Sequence, residues 1–251
     1  MGFEVAAERY ARFMGRYAEP LTPFFADFAK VSMGHRVLDV GCGPGTLTRH
    51  LVTLTEAHLV AAIDPSPPFV ETVARRLARV DVHTGVAEAL PFADNWFDVA
   101  LAQLVVHFLA DPEEGLREMA RVTRPGGTVA ACVWDAETGA VAPFWQCVHE
   151  IDQDAEDEAF LAGARTGDLV GLLKRAGLRK VEPDTLSVRV VHPTFEDWWE
   201  PYTYGVGPAG DYVKGLDEPG RTALEKVARH RLGDGPITVT ATAWAARGTV
   251  G

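Results

Sequence analysis

The chain reads as an α/β fold on a doubly wound, mostly parallel sheet, and three observations carry that reading. The apolar run Val37-Leu38-Asp39-Val40 leads into three glycines on alternate positions, Gly41, Gly43 and Gly45, and then opens a helical pattern over residues 46–54. A second apolar run, 59–64, again ends in an acid, Asp64, and is followed by a helical stretch at 69–78. Strand-like segments then keep alternating with helical ones, the pattern of a parallel sheet covered on both faces. Runs that are apolar almost throughout suit strands buried on both sides.

The remaining elements follow in order. Residues 80–86 and 97–102 supply a third and a fourth strand. Asp111-Pro112-Glu113-Glu114 starts a helix with a capping acid, proline at the first helical position and acids at the positive helix end. Arg124-Pro125-Gly126-Gly127 stops that helix, and 128–134 is the fifth strand. A helix at 166–176 closes at Gly177, followed by an extended segment at 180–192 and a final alternating segment at 237–246, which read as an antiparallel pair at the sheet edge. With no repeats, low-complexity tracts or linker-like stretches, residues 1–251 form one domain. Two insertions, 136–165 and 193–236, interrupt the alternation and are rich in rings, among them Trp145, Trp198, Trp199 and Tyr202. Such rings suit a rigid apolar pocket with a few hydroxyl donors, or simple packing onto the core.

Composition narrows the function. A formal charge of −11 over 251 residues gives no general attraction to polyanions, so neither nucleic acid nor an anionic membrane is expected as a partner. Arg75, Arg76 and Arg79 read as the solvated face of a helix. Cys42, Cys132 and Cys147 are too few and too scattered for a disulfide framework or a zinc site; no metal is expected, and a reducing, cytoplasmic setting is. The N-terminus has no basic-then-apolar leader and no stretch reaches bilayer length.

The glycine spacing selects the cofactor class. It is G-x-G-x-G; a dinucleotide fingerprint would place its third glycine at position 46, which is Thr46, and the Gly-Lys-Ser/Thr ending of a P-loop is absent. Asp64, about twenty residues past the glycines, suits the two hydroxyls of a ribose; it could equally cap the helix that follows. The run Asp39-Val40-Gly41-Cys42-Gly43-Pro44-Gly45 resembles the first motif of the class I S-adenosylmethionine-dependent methyltransferases. Thr84-Gly85-Val86-Ala87-Glu88-Ala89-Leu90-Pro91-Phe92, then Phe97-Asp98, then Arg121-Val122-Thr123-Arg124-Pro125-Gly126-Gly127 resemble their menaquinone/ubiquinone-type, small-molecule branch.

That resemblance implies a Rossmann-like sheet of seven strands whose last strand inserts antiparallel beside the fifth. It implies S-adenosylmethionine as cofactor and S-adenosylhomocysteine as product, residues 1–35 as an N-terminal flap, 36–135 as the cofactor-binding core, and the two insertions as substrate cover. Residue by residue, Gly41, Gly43 and Gly45 would approach the methionine moiety, Asp39 would orient the loop or the cofactor ammonium, and Asp64, beside Pro65, would hold the ribose. Val86, Ala87 and Glu88 fall where the family contacts adenine, with Val86 standing in place of the usual Asp. Gln103 would face the methionine end, and Tyr10 and Arg16 would belong to the flap, the arginine pairing with the cofactor carboxylate.

His107, after the fourth strand, is the candidate general base or a helix-start histidine that only packs or bonds to backbone, and Trp134, Trp145, Trp198, Trp199 and Tyr202 are the candidate acceptor pocket. The function expected is transfer of a methyl group to an O or C centre of a small, aromatic or polyketide-like acceptor. Two other readings stay open: a non-catalytic protein that binds the same cofactor, and an NAD-dependent dehydrogenase.

Overall fold

Strand β1 (Val37–Val40) is buried along its whole length, pairing in parallel with β2 (Val60–Asp64) on one side and β4 (Phe97–Gln103) on the other. The computed structural model describes residues 7–251; the first six residues of the expected flap lie outside the described residues. Adding β3 (Asp81–Thr84), β5 (Thr123–Trp134), β6 (Arg179–His192) and β7 (Ile237–Thr249) completes a seven-stranded sheet in the order β3-β2-β1-β4-β5-β7-β6. The first five strands are mutually parallel, and β7 runs antiparallel between β5 and β6. This is the doubly wound, Rossmann-like arrangement that the sequence predicts.

Side chains alternate between the two faces, as strand geometry requires. Val37, Val99, Leu101, Ala130, Cys132, Trp134, Ala243 and Ala245 point to one face. There they meet α2 (Arg16–Phe28) and α3 (Thr46–Leu54) through Leu21, Phe25, Leu47 and Leu51. Leu38, Val40, Ala100, Ala102, Val129 and Ala131 point to the other, against Leu116, Met119 and Val122 of α5 (Pro112–Val122) and Leu169 and Leu173 of α7 (Asp168–Arg175). Helix α4 (Pro67–Arg76) packs beside β2 through Val73 and Ala62. The capping acid expected of α5 is in place, Asp111 Oδ1 accepting from the Glu113 and Glu114 amides at 3.1 and 3.0 Å.

Two regions differ from expectation. Residues 124–127 end the helix but are already part of β5, which starts at Thr123, because Gly126 donates to Val250 O and Val250 donates to Gly127 O. The expected flap is a helical run, α1 (Ala7–Tyr10), a π turn (Ala11–Gly15) and α2, and its Tyr17, Leu21, Phe25 and Ala26 are core residues. The insertions fold as α6 (Ala142–Ile151), then α8 (Phe195–Trp199), α9 (Gly207–Gly215) and α10 (Glu218–Leu232), joined to the same hydrophobic core as α2. No helix among the described residues is long and apolar enough to cross a membrane.

Candidate active site

The carboxyl ends of β1, β2 and β4 open on a cavity of about 500 Å³, within the usual range for a small-molecule site. A crevice at that end of a parallel sheet is where open α/β folds bind ligands. The glycine turn builds one wall. Gly41, Gly43 and Gly45 all have left-handed φ, +72°, +53° and +90°, which only glycine adopts at little cost. A Cβ on Gly41 would stand 2.5 Å from Val105 Cγ2, and one on Gly45 2.9 Å from Val73 Cγ2, so these two glycines let the chain pass its neighbours. A Cβ on Gly43 would meet nothing within 4 Å: it is the backbone open to the cavity.

Two acids lie beneath and beside this turn. Asp64 Oδ2 accepts from Gly43 N and Oδ1 from Ser66 N, both at 2.8 Å, which fixes the turn to the end of β2 and leaves each oxygen one lone-pair direction for a ligand hydroxyl. Burial raises its pKa against the pull of those two amides. Asp39, 1% exposed, accepts from Thr48 Oγ1 at 2.6 Å and so ties β1 to the first turn of α3. Burial pushes its carboxyl up to about 7, the Thr48 hydrogen bond opposing and the Asp64 charge adding. Across the cavity, Tyr10 packs edge-on to Phe69 with ring centroids 5.6 Å apart, and burial with the nearby Asp64 charge pushes its hydroxyl up to about 12.

Tyr10, Leu104 and Phe108 are shared between this cavity and a second one of about 30 Å³, lined also by Phe13, Met14, His107, Trp134, Val141, Glu158 and the Val206-Gly207-Pro208 segment. A third, about 10 Å³, continues behind it between His107, Trp134, Asp135, Trp145 and Glu158. Together they hold water-sized groups, not an aromatic ring. His107 is 8% exposed; burial lowers its pKa to about 3, so it is neutral, and its Nδ1 is buried without a partner. The Trp134 and Trp145 indole nitrogens are likewise buried and unpaired. Glu158, on a 3₁₀ turn (Glu158–Phe160), is pushed up to about 7 by burial. The Trp145 indole N–H draws it down, facing the carboxyl without the alignment of a full hydrogen bond.

The family model described as a methyltransferase domain matches residues 38–131, the span from β1 to β5 that builds the larger cavity. Over that span the chain carries a methyltransferase domain. It is 28% identical to the uncharacterised protein Rv1405c of Mycobacterium tuberculosis over 90% of this chain and 86% of that one. It is 31% identical to a malonyl-[acyl-carrier protein] O-methyltransferase of Pseudescherichia vulneris over 64% of each. Among solved structures, the YcgJ protein of Bacillus subtilis shares its fold at a TM-score of 0.60 and 18% identity, covering 92% of this chain and 97% of that one.

The larger cavity fits S-adenosylmethionine, the cofactor that the resemblance of the glycine motif implies. The cavity combines an open backbone cradle at Gly43, a carboxylate at Asp64, and apolar walls from Ile63, Phe69, Val86 and Leu109. Of the residues singled out from the sequence, Tyr10, Gly41, Gly43, Asp64, Pro65, Val86, Ala87 and Glu88 line it together. Glu88 is also an anchor, its Oε1 accepting from the Ala110 and Asp111 amides at 2.9 and 3.2 Å.

Several expectations need correction. Arg16 is not paired with a cofactor carboxylate. It forms a two-pronged salt bridge to Asp197 of α8, its second prong 2.7 Å long. It also donates to His192 Nδ1 at 3.3 Å, which leaves Nε2–H of that neutral imidazole to donate to the Tyr17 hydroxyl at 2.8 Å. Gln103 turns toward α2, its amide donating to Ala18 O and Thr22 Oγ1, both at 3.1 Å. Trp198, Trp199 and Tyr202 line none of the three cavities; they are packing rings in the core of the cover, Tyr202 stacked on Phe144 at 4.5 Å. His107 does line the smaller cavities, but an imidazole whose pKa has fallen to about 3 is too weak a base for the role expected of it. Glu158 was not singled out in the sequence, where it closes the acidic stretch Asp152-Gln153-Asp154-Ala155-Glu156-Asp157 and reads as solvated loop.

Proposed function

We propose that this methyltransferase acts on an oxygen or carbon centre of a small, aromatic or polyketide-like acceptor held under the cover of residues 136–165 and 193–236. The observation that carries the reading is the second cavity. It adjoins the cofactor cavity across Tyr10, Leu104 and Phe108, and its lining is mostly apolar, with His107 and Glu158 as polar exceptions. An O-methyltransferase among the relatives supports the oxygen centre. Entry of a ring requires the walls to part; Gly205 and Gly207, with left-handed φ of +69° and +64°, flank Val206 on one of them.

The cofactor supplies an electrophilic methyl group on a sulfonium. The protein's part is to bind, align and exclude water. Gly41 and Gly43 would bring backbone close to the methionine portion, Asp64 would accept from the ribose hydroxyls, and Val86, Ala87 and Leu109 would flank the adenine. Asp64 would place a carboxylate on the wall of the cavity, and Asp39 beneath it ties β1 to α3. Tyr10, uncharged at neutral pH, closes the cavity toward the acceptor.

The test is a screen of phenols, enolisable ketones, amines and thiols with cofactor carrying a deuterated methyl group, read by mass spectrometry. Labelled product from phenols or enolisable ketones supports the reading. Product from amines or thiols alone contradicts it.

A further inference from the structure

The acceptor side of this site has a polar end inside an apolar enclosure. Among the described residues Glu158 is the only acid lining the cavity next to the cofactor cavity, and it also lines the enclosed space behind, where the unpaired His107 Nδ1 and the Trp134 and Trp145 indoles gather. Buried polar groups are ordinarily paired, so a concentration of unpaired ones around a carboxyl marks a place for a polar ligand atom.

We propose that Glu158 is the general base of this methyltransferase, taking the proton of an acceptor hydroxyl on a phenol or stable enol. This rests on the O-centre reading above. The acceptor O–H bond breaks with its proton passing to the Glu158 carboxylate, and the oxygen forms its bond to the methyl carbon. The C–S electron pair stays with the departing thioether sulfur, and Glu158 afterwards returns the proton to water. His107, neutral, and the indole N–H groups are the neighbours suited to hydrogen-bond the reacting oxygen.

The other titratable groups around this space do not compete for the role. Asp135 is occupied, Oδ1 accepting from the Glu137 amide at 3.0 Å and Oδ2 from Thr138 Oγ1 at 2.7 Å. Asp157 caps its own turn through Ala159 N at 2.8 Å, and its charge helps to raise Glu158. The Tyr10 and Tyr202 hydroxyls are held protonated by burial. Glu158 titrates near neutral pH, where a base balances population against strength.

The test compares wild type with Glu158→Gln and Glu158→Asp on phenols running from 4-methoxyphenol to 4-nitrophenol. Calorimetry with S-adenosylhomocysteine verifies that each variant is folded. A base at this position predicts a kcat/KM loss of about 10²–10⁴-fold in Glu158→Gln on phenols that are neutral at the assay pH. It predicts little loss on 4-nitrophenol, which ionises unaided, partial recovery in Glu158→Asp, and an acidic limb near pH 7 in the wild-type profile that the Gln variant lacks. An equal loss along the series, or none, overturns the proposal.

If wild type binds cofactor but methylates no phenol, the acceptor reading fails and Glu158 is judged by a second readout. Protein labelled with [13C]glutamate is saturated with S-adenosylhomocysteine and titrated with 4-nitrophenol, the Glu158 carboxyl resonance being assigned by its absence from Glu158→Gln. A carboxyl that titrates near pH 7 and shifts with the phenol sustains the proposal; one that stays in the ordinary carboxylate range, or does not respond, overturns it.

Discussion

Replacing Asp39 by Asn should stabilise the cofactor-free protein at pH 8 and destabilise it below pH 5. Asp39 is 1% exposed, and burial pushes its carboxyl from 3.8 to about 7. The folded state therefore keeps a proton that the unfolded chain releases, and stability falls as pH rises from about 4 to about 7. At about 1.4 kcal/mol per pH unit, the cost of holding this carboxylate at pH 8 is about 4 kcal/mol. Asn keeps the acceptor for Thr48 Oγ1, 2.6 Å away in the wild type, and has no charge to desolvate, but it buries an amide N–H₂ worth about 1–3 kcal/mol if unpaired. The difference leaves the variant about 1–3 kcal/mol more stable at pH 8 and no more stable than wild type below pH 5. Urea unfolding followed by tryptophan fluorescence at both pH values reads this directly. Parallel pH dependences in the two proteins would refute the reasoning.

Three further outcomes follow from the same geometry. Asp64→Ala removes the acceptor of Gly43 N and Ser66 N and the proposed ribose contacts, so calorimetry should show S-adenosylhomocysteine affinity down by roughly 10- to 150-fold, the loss of about 1.5–3 kcal/mol; unchanged affinity would remove Asp64 from the site. Gly43→Ala and Gly41→Ala should separate binding from folding. The first places a methyl in the cavity and weakens cofactor binding with only about 1–2 kcal/mol of backbone strain, whereas the second drives a Cβ to 2.5 Å from Val105 and should show the larger drop in melting temperature. Trp198→Ala should cost about 3–5 kcal/mol of stability in denaturant unfolding, because the ring is fully buried in the cover and lines none of the cavities described.

The fold was legible where local signals coincide. At β1 and α3 the apolar run, the glycines and the helical pattern all fall within eighteen residues, and both elements begin and end where the sequence places them. The early start of β5 was hidden because its pairing partner, Val250, is remote in sequence. The cofactor cavity was legible for the same reason as β1, since most of its wall comes from strand ends carrying recognisable residues.

The misread residues have distant partners. Arg16 is claimed by Asp197, 181 positions away, and Gln103 by Ala18 and Thr22 on the N-terminal helix. Ring content announced an aromatic cover but not which rings turn inward, so Trp134 and Trp145 line cavities whereas Trp198, Trp199 and Tyr202 pack the core. Glu158 was hidden by its acidic neighbours; its partial burial depends on Trp145 and the rest of a pocket assembled from separate segments.

The glycine-lined cavity should bind an adenosyl cofactor, and calorimetric titration of the purified protein with S-adenosylmethionine and S-adenosylhomocysteine, with NADH as the control ligand, decides it. Saturable one-site binding of both adenosyl ligands, with none of NADH, is the result predicted. Binding of NADH alone would contradict the account and make Asp64 part of a dehydrogenase site.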